Sequence, residues 1–223
     1  MSLDLIKEIP VLPLPDTVLF PRTLAPVTVQ EKRYKQLVSY AIENRREVGV
    51  ALLRPGWEND YYDTPAIFQV GALAVISENE RTGPGDWRIL LQGVQRFSVI
   101  EFKQLRPYRI ARVRLLDDPA GEPEDWERHR MSRQLIRYFR EMSRAAGPGK
   151  GPTRLLSKLD FPALVNSICA SLNFSIYEKQ RLLELNDLQD RAHSILEILR
   201  TQVGQLRLIS RFRHLEPEDS RSN

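Results

Sequence analysis

The sequence predicts an α+β protein in which a strand-rich half is followed by a helical half. Up to about Asp118, apolar residues form short runs or alternate with polar ones, as in β-strands. Residues 117–121 include two aspartates, a proline and a glycine, which end the last such run. Beyond them, apolar residues recur every three or four positions, the period of an amphipathic helix. We therefore expect a β-rich subdomain at 1–118, a helical subdomain at 119–215 and a polar tail at 216–223.

The first half reads as several short strands with one inserted helix. The predicted strands are residues 48–53, 68–77, 87–92, 94–102 and 108–115. Gly93 is a predicted bulge, and residues 81–86, with two glycines and a proline, are a predicted turn. Residues 31–44 have helical spacing. Five prolines between Pro10 and Pro26 are expected to confine that stretch to sheet edges and crossings. This pattern favours a small, partly closed β-barrel.

The second half carries recognisable helix starts and stops. Pro123 and the two acids after it suit a first turn, and Gly147–Gly149 should end that helix after about Ala145. Asp160 can cap a second helix, and Ser175 with Glu178 forms a capping box for a third. Asn186 or Asp187 can cap a last helix of about six turns. Its apolar stripe is Leu188, Ala192, Ile195, Leu199, Val203, Leu206 and Ile209.

Composition favours a cytoplasmic protein without a membrane segment. The chain has 223 residues, of which 42% are apolar and 28% charged. The first eight residues are too charged for a signal peptide, and no apolar run approaches the roughly 20 residues of a membrane helix. Cys169 is the only cysteine, which excludes an intrachain disulfide and suits a reducing compartment.

The sequence predicts no catalytic or metal site. His129, His193 and His214 are far apart and lack a second ligand at helical or hairpin spacing. Cys169 lies in an apolar run, which is typical of a small core residue. Ser157 and Lys158 are adjacent and would point to different helix faces, which a catalytic dyad cannot use. We expect no cofactor.

A nucleotide site is also not expected. A phosphate-binding loop needs glycine, four residues, then Gly-Lys followed by serine or threonine. At the only Gly-Lys pair, Gly149-Lys150, Arg144 stands where the first glycine should be and Gly151 replaces the hydroxyl residue. This segment is interpreted as a loop between helices.

Two features have functional interpretations. The first is the loop 54–64, where Trp57, Tyr61 and Tyr62 sit among turn residues, as contact anchors often do. The alternative is that Trp57 or Tyr62 folds back over a barrel edge. Leu19 and Phe20 lie between Pro15 and Pro21, which should keep them extended and available for contact.

The second feature is a basic strip on the first helix of the helical half. Between Arg128 and Lys158 there are nine basic residues and one acid, Glu141. Five of them are spaced three, four, three and four apart, which places them on one face: Arg130, Arg133, Arg137, Arg140 and Arg144. The strip could dock an acidic partner or a phosphate backbone. The alternative is a solvated face partly neutralised by acids of other helices.

Three segments together resemble the N-terminal substrate-recognition domain of the Lon proteases. They are residues 13–21, residues 71–76 with 91–97, and residues 160–187. The resemblance covers roughly residues 9–212 and implies a PUA-like β subdomain followed by a helical subdomain that binds unfolded or degron-bearing polypeptides. In Lon, the last helix leads to an ATPase and a Ser–Lys peptidase. Here it is expected to end near Arg213, so we expect a stand-alone, non-catalytic module.

Two other functions remain open at this point. One is binding of RNA or another nucleic acid, since PUA-like barrels elsewhere bind RNA, although the basic strip lies on the helical half and no stacking motif is evident. The other is regulation of a separate ATPase or protease. Salt separates the first from polypeptide binding, because phosphate contacts weaken steeply as salt rises and an apolar groove responds little.

We predict that the purified chain hydrolyses neither ATP nor peptides, because it lacks a phosphate-binding loop and a paired nucleophile and base. The measurement is steady-state ATP turnover and peptide cleavage, with Lys150→Ala alongside. Sustained ATP turnover that Lys150→Ala removes would contradict the prediction.

Overall fold

The computed structural model describes residues 5–60, 63–83, 85–117, 125–145 and 155–212, with the backbone alone for 125 and 209–212. Within these ranges all strands precede residue 117. Four of the five α-helices follow residue 124, and the last is 25 residues long. The predicted α+β class and the order of its halves are therefore confirmed. None of the described helices is both long and apolar enough to cross a membrane.

A mixed six-stranded sheet forms the first half. Its strands are β1 (Ile6–Leu14), β2 (Leu24–Val29), β3 (Glu47–Leu52), β4 (Val70–Thr82), β5 (Asp86–Gln104) and β6 (Arg109–Leu116). The order is β2-β5-β4-β3-β1-β6, and a further pairing of β5 with β6 brings the ends together. Five strands thus form a ring, while β2 extends along the first part of β5. The result is less regular than a closed barrel.

The prolines of β1 lie at local sheet edges, as expected, although β1 stands between β3 and β6 in the strand order. Residues 6–11 pair with β6, and residues 11–14 pair in parallel with β3. Pro10 is therefore in the part bonded only to β6, and Pro13 in the part bonded only to β3. Each proline has one side without a paired strand, where a missing N–H costs no ladder bond.

Two apolar cores lie on the two faces of the sheet. Helix α1 (Lys32–Glu43) buries Leu37, Val38 and Ala41 in the first core, against β2 and β5. The second core, on the other face, contains Ile9, Phe97 and Val113. Successive residues of β3 alternate between the two, as the pleat requires: Val48 and Val50 face the first core and Ala51 the second. The register shift in β5 at Gly93 confirms the predicted bulge.

Four helices form the second half: α2 (Asp125–Ala145), α3 (Phe161–Ser171), α4 (Ile176–Glu184) and α5 (Leu188–Phe212). The predicted caps are present. Asp160 accepts a hydrogen bond from the Ala163 N–H, Ser175 and Glu178 form the capping box, and Asp187 accepts from the Gln189 N–H. Arg200 of α5 bonds Gln134 of α2 and Arg207 bonds Glu141. Both spacings are seven residues, so the two helices run in the same direction.

The two halves are joined by neighbouring residues that point into different cores. Leu19 is buried among the side chains of the first sheet core, whereas Phe20 is buried in the core of the helical half with Leu135 and Leu164. Gly93 allows this chain crossing, because a Cβ there would lie 2.2 Å from the Phe20 carbonyl oxygen. The segment that precedes β2 is thus clamped between the sheet and the helices.

A buried guanidinium adds a polar connection between the halves. Arg96 of β5 is 1% exposed. It donates to the carbonyls of Leu183 (3.0 Å), Asp117 (3.1 Å) and Asn186 (3.2 Å), two of which belong to the end of α4 and the turn after it. The carbonyls of Leu183 and Asn186 lie at a helix end, where carbonyl groups have no partner within the helix. Arg96 of the strand-rich half therefore supplies hydrogen bonds to the helical half.

We predict that Phe20→Ala lowers the free energy of unfolding by about 3–5 kcal/mol, because it empties a fully buried aromatic site between the halves. Urea unfolding followed by circular dichroism measures this. The control is Leu24→Ala, four residues on and 60% exposed, which should change stability by about 0.5 kcal/mol or less. Equal effects of the two substitutions would mean that Phe20 does not anchor the junction.

Candidate polypeptide-binding groove

The structure corrects the expectation that Leu19 and Phe20 offer an accessible apolar surface. Leu19 is 2% exposed and Phe20 is 0% exposed, and each fills a core. The flanking prolines do hold the segment in one conformation, but its side chains point inward. Sequence reasoning treated residues 13–21 as one surface. Burial divides the segment at residue 18, since Asp16, Thr17 and Val18 are exposed or half-buried.

The earlier part of the same segment lines an open groove of about 380 Å³. One wall is residues 12–17, at the end of β1 and just beyond it. The other wall is residues 26–31, in β2 and the turn before α1, with Tyr34 at one end. The apolar lining includes Leu12, Leu14, Pro15 and Val27, while Asp16, Thr17, Gln30 and Glu31 supply polar groups.

The groove lies beside unpaired backbone. Beyond Val11, β1 pairs only with β3, and β2 pairs only with β5 among the described strands. The Gly93 N–H donates to the Thr23 carbonyl at 2.9 Å, so in this antiparallel pair Ala25 and Val27 direct their backbone groups toward β5. Those of Pro26 and Thr28 therefore face away from β5, on the outer edge. Because Pro26 has no N–H, that edge offers an interrupted row of hydrogen-bonding groups.

The aromatic loop is partly ordered by the sheet. Trp57 begins a short 3-10 helix, Trp57–Asp60, and is half-buried against the second sheet core together with Val99. This position agrees with the alternative interpretation of the loop, in which Trp57 folds back over the sheet. Part of the Trp57 side chain is still accessible to solvent. Tyr61 and Tyr62 lie outside the described residues, so their placement stays a prediction.

A hydrogen bond connects the loop to the groove. Arg33, at the start of α1, donates through Nη1 to the Asp63 carbonyl at 2.7 Å and through Nε to the Glu31 carboxylate at 2.9 Å. Glu31 and Tyr34, on either side of Arg33 in the chain, both line the groove. The two surfaces that the sequence singled out, residues 54–64 and 13–21, are therefore neighbours across the start of α1.

An aromatic contact that the sequence did not reveal lies between the two halves. Tyr177 of α4 is exposed and contacts Phe68, with ring centroids 6.4 Å apart, and the Arg54 guanidinium lies 5.5 Å from the Phe68 centroid. Cation–π contacts of this length are weak in water. Phe68 looked like part of a strand and Tyr177 like part of a capping box, so neither position signalled the contact.

The basic strip is on the outside of α2, as predicted. Arg130, Arg133, Arg137 and Arg144 are exposed and Arg140 is half-buried, while Met131 and Leu135 on the adjacent face are buried. Glu141, the one acid between Arg128 and Lys158, accepts hydrogen bonds from Arg207 of α5 through both carboxylate oxygens, at 2.6 and 2.8 Å. These bonds, helped by Arg137 and Arg144, hold the Glu141 pKa below its usual value. The structure does not bring the strip to the groove, which is built from the sheet and α1 alone.

The described residues contain no cluster of three or more histidine, cysteine or acidic side chains that could hold a metal ion. Cys169 is buried in the helical core, as predicted from its apolar run. Ser157 and Lys158 both lie in a three-residue 3-10 helix and both are exposed.

Comparison with known proteins gives the family of this chain, in which a ring-like sheet is joined to a helical half. Residues 8–201 match the model of the ATP-dependent protease La (Lon) substrate-binding domain. The chain therefore belongs to the Lon substrate-binding domain family, as the sequence motifs predicted.

Individual relatives agree with this assignment. Lon protease of Dictyoglomus thermophilum is 27% identical over 215 residues, which are 95% of this chain and 26% of that protein. Lon protease 2 of Herpetosiphon aurantiacus is 29% identical over 203 residues, 90% of this chain and 24% of that protein. The chain thus spans about a quarter of the length of these relatives.

Solved structures share the fold. The N-terminal domain of Lon protease from the Mycobacterium avium complex matches with a TM-score of 0.68 at 17% identity, covering 87% of this chain and 98% of that one. A Lon N-terminal domain protein from Xanthomonas campestris matches with a TM-score of 0.58 at 19% identity, covering 86% and 98%. Each of these domains aligns over almost its whole length, in both the strand and the helical half.

Proposed function

We propose that this chain binds unfolded or degron-bearing polypeptides without catalysis of its own, as an adaptor or regulator of proteolysis that works with a separate ATPase or protease. The observation that carries the proposal is the open groove between residues 12–17 and 26–31, which is lined by both apolar and polar side chains. Membership of a substrate-binding family supports the same class of ligand.

The shape of the groove argues for weak and broad recognition. A volume of about 380 Å³ is at the small end of ligand sites, so it accommodates a few side chains and not a folded domain. Pro26 interrupts the outer edge of β2, so a bound segment cannot form an unbroken β-ladder there. Affinity then comes mainly from burying apolar side chains, which is tolerant of sequence. Trp57 and the rest of the loop 54–64 extend the contact surface beyond Arg33.

Nucleic-acid binding is the second candidate, favoured by the exposed guanidiniums of Arg130, Arg133, Arg137 and Arg144. The two candidates use different surfaces and different forces. Binding to phosphates through the strip falls steeply between about 50 and 200 mM salt, whereas binding in the apolar groove changes little.

We predict that Thr28→Asp weakens binding of a reduced, unfolded model protein at least about tenfold, because it adds a carboxylate beside the apolar side chains of the groove. Fluorescence anisotropy of the labelled model protein measures this. The matched control is Leu24→Asp, on the same strand and equally outward but outside the groove lining. Weakening by Leu24→Asp as large as that by Thr28→Asp would place binding elsewhere on β2.

We also predict that replacing Trp57 and Tyr62 together by alanine abolishes detectable binding of the same model protein. Truncating one central aromatic anchor costs about 2 kcal/mol, or roughly thirtyfold in affinity. Circular dichroism checks that the fold is intact.

The comparison for this pair is the triple replacement of Arg133, Arg137 and Arg140 by glutamine, which should have little effect on polypeptide binding. If the triple arginine variant loses binding and the aromatic pair does not, the basic strip of α2 is the site.

A further inference from the structure

Three arginines are buried in the described part of the chain. Two of them, Arg96 and Arg191, donate hydrogen bonds to several carbonyl or amide oxygens. Arg96 is satisfied by the carbonyls of Leu183, Asp117 and Asn186. Arg191, 0% exposed, donates to the carbonyls of Leu182 and Leu185 and to Asn166 Oδ1, each at 2.9 Å. Both guanidiniums tie helix ends together, and neither has a buried nitrogen without an acceptor.

Arg109, in β6, is different. It is 6% exposed, its Nη2 donates to the Pro65 carbonyl, and its Nη1 is buried without an acceptor in the structure. Burial lowers the pKa of Arg109, nearby Tyr34 opposes that effect, and Arg33 adds to it. No carboxylate is among the groups that act on its pKa. A buried cation with a single neutral acceptor and an idle N–H is costly unless something supplies negative charge.

Arg109 lines a pocket of about 160 Å³ that other cationic and hydroxyl side chains share: Arg33, Arg106, Tyr34, Tyr108 and Thr64. Asp63 is the one carboxylate in its lining, and Arg106 pairs with it. Arg33 pairs with Glu31, next to the pocket. With both pairs counted, Arg109 is the charge in the pocket lining that has no counter-ion among the described residues, and these residues give the pocket one excess positive charge.

We propose that this pocket is an oxyanion site, which takes a phosphate or carboxylate group beside Arg109. Guanidiniums are the side chains best matched to such groups. The two phenols, Tyr34 and Tyr108, add neutral donors, because a tyrosine hydroxyl is protonated at neutral pH and burial raises the pKa of both further. An anion in the pocket supplies the charge that Arg109 lacks.

The oxyanion has two possible sources, which share this chemistry. One is free inorganic phosphate. The other is the terminal carboxylate of a polypeptide in the groove, since Tyr34 lines both the groove and the pocket. This second source rests on the proposed function, whereas binding of inorganic phosphate does not.

The test is titration of the full chain with inorganic phosphate, and separately with acetate, at constant ionic strength set by chloride. Chemical shifts of the Arg and Tyr side chains report binding. We expect saturable binding of phosphate, acetate or both, weakened at least about tenfold by Arg109→Met and by Arg106→Gln. The charge-matched control is Arg112→Gln in the same strand, a partly exposed arginine outside the pocket that pairs with Glu101; this variant should bind the anions as the unchanged protein does.

Arg106 is exposed, so Arg106→Gln keeps the test valid if Arg109→Met fails to fold. Absence of saturable binding for both anions overturns the proposal. Equal weakening by Arg112→Gln also overturns it, because the response is then one of general charge. A peptide with a free or an amidated C-terminus separates the sources: tenfold tighter binding of the free form, lost in Arg106→Gln, assigns the site to terminal carboxylates. Equal binding of the two peptides, with phosphate still saturable, assigns it to the free anion.

Discussion

The fold depends on one crossing of the chain, where Leu19 enters a core of the sheet and Phe20 enters the core of the helices. Several features of β5 lie next to this crossing. Gly93 has no side chain because the Phe20 carbonyl lies against it, and the bulge of β5 falls at that glycine. Arg96, three residues later, turns its guanidinium to the end of α4. The two halves therefore share a packed and hydrogen-bonded junction, and neither core is complete without it.

The helices and most of the strands were predictable because each has a local cause, whereas β1 and β2 were not among the predicted strands. Asp160, Ser175 and Asp187 cap helices through their own side chains, and Gly83 and Gly85 take positive φ between β4 and β5, a turn narrower than the predicted 81–86. These signals need no knowledge of the rest of the molecule. The positions of the prolines of β1 were harder to predict. Pro10 and Pro13 fit into a strand between two others because the two ends of β1 pair with different strands, which leaves one side of each proline unpaired. This is a property of the topology and not of the local sequence.

The candidate site was only partly predictable, for the same reason. The segment 13–21 was singled out with Leu19 and Phe20 as its contact residues, but only its first part, residues 13–17, lines the groove. The partner wall, residues 26–31, reaches it through the folding of β2 and α1. The direction of each side chain along residues 18–20 was hidden, because all three are apolar, although Val18 and Phe20 pack in the helical core and Leu19 packs in the first sheet core. The environment of Arg109 depends on side chains from residues 33 to 109, and no spacing rule connects them.

Pro26 also has a consequence for the protein's behaviour in concentrated solution. An apolar groove beside an unpaired strand is the arrangement through which sheets recruit further copies of themselves and grow into fibres. A residue without an N–H at the middle of that edge breaks the repeating hydrogen bonds on which such growth relies. The edge can then stay open to other chains while the protein is protected against self-assembly.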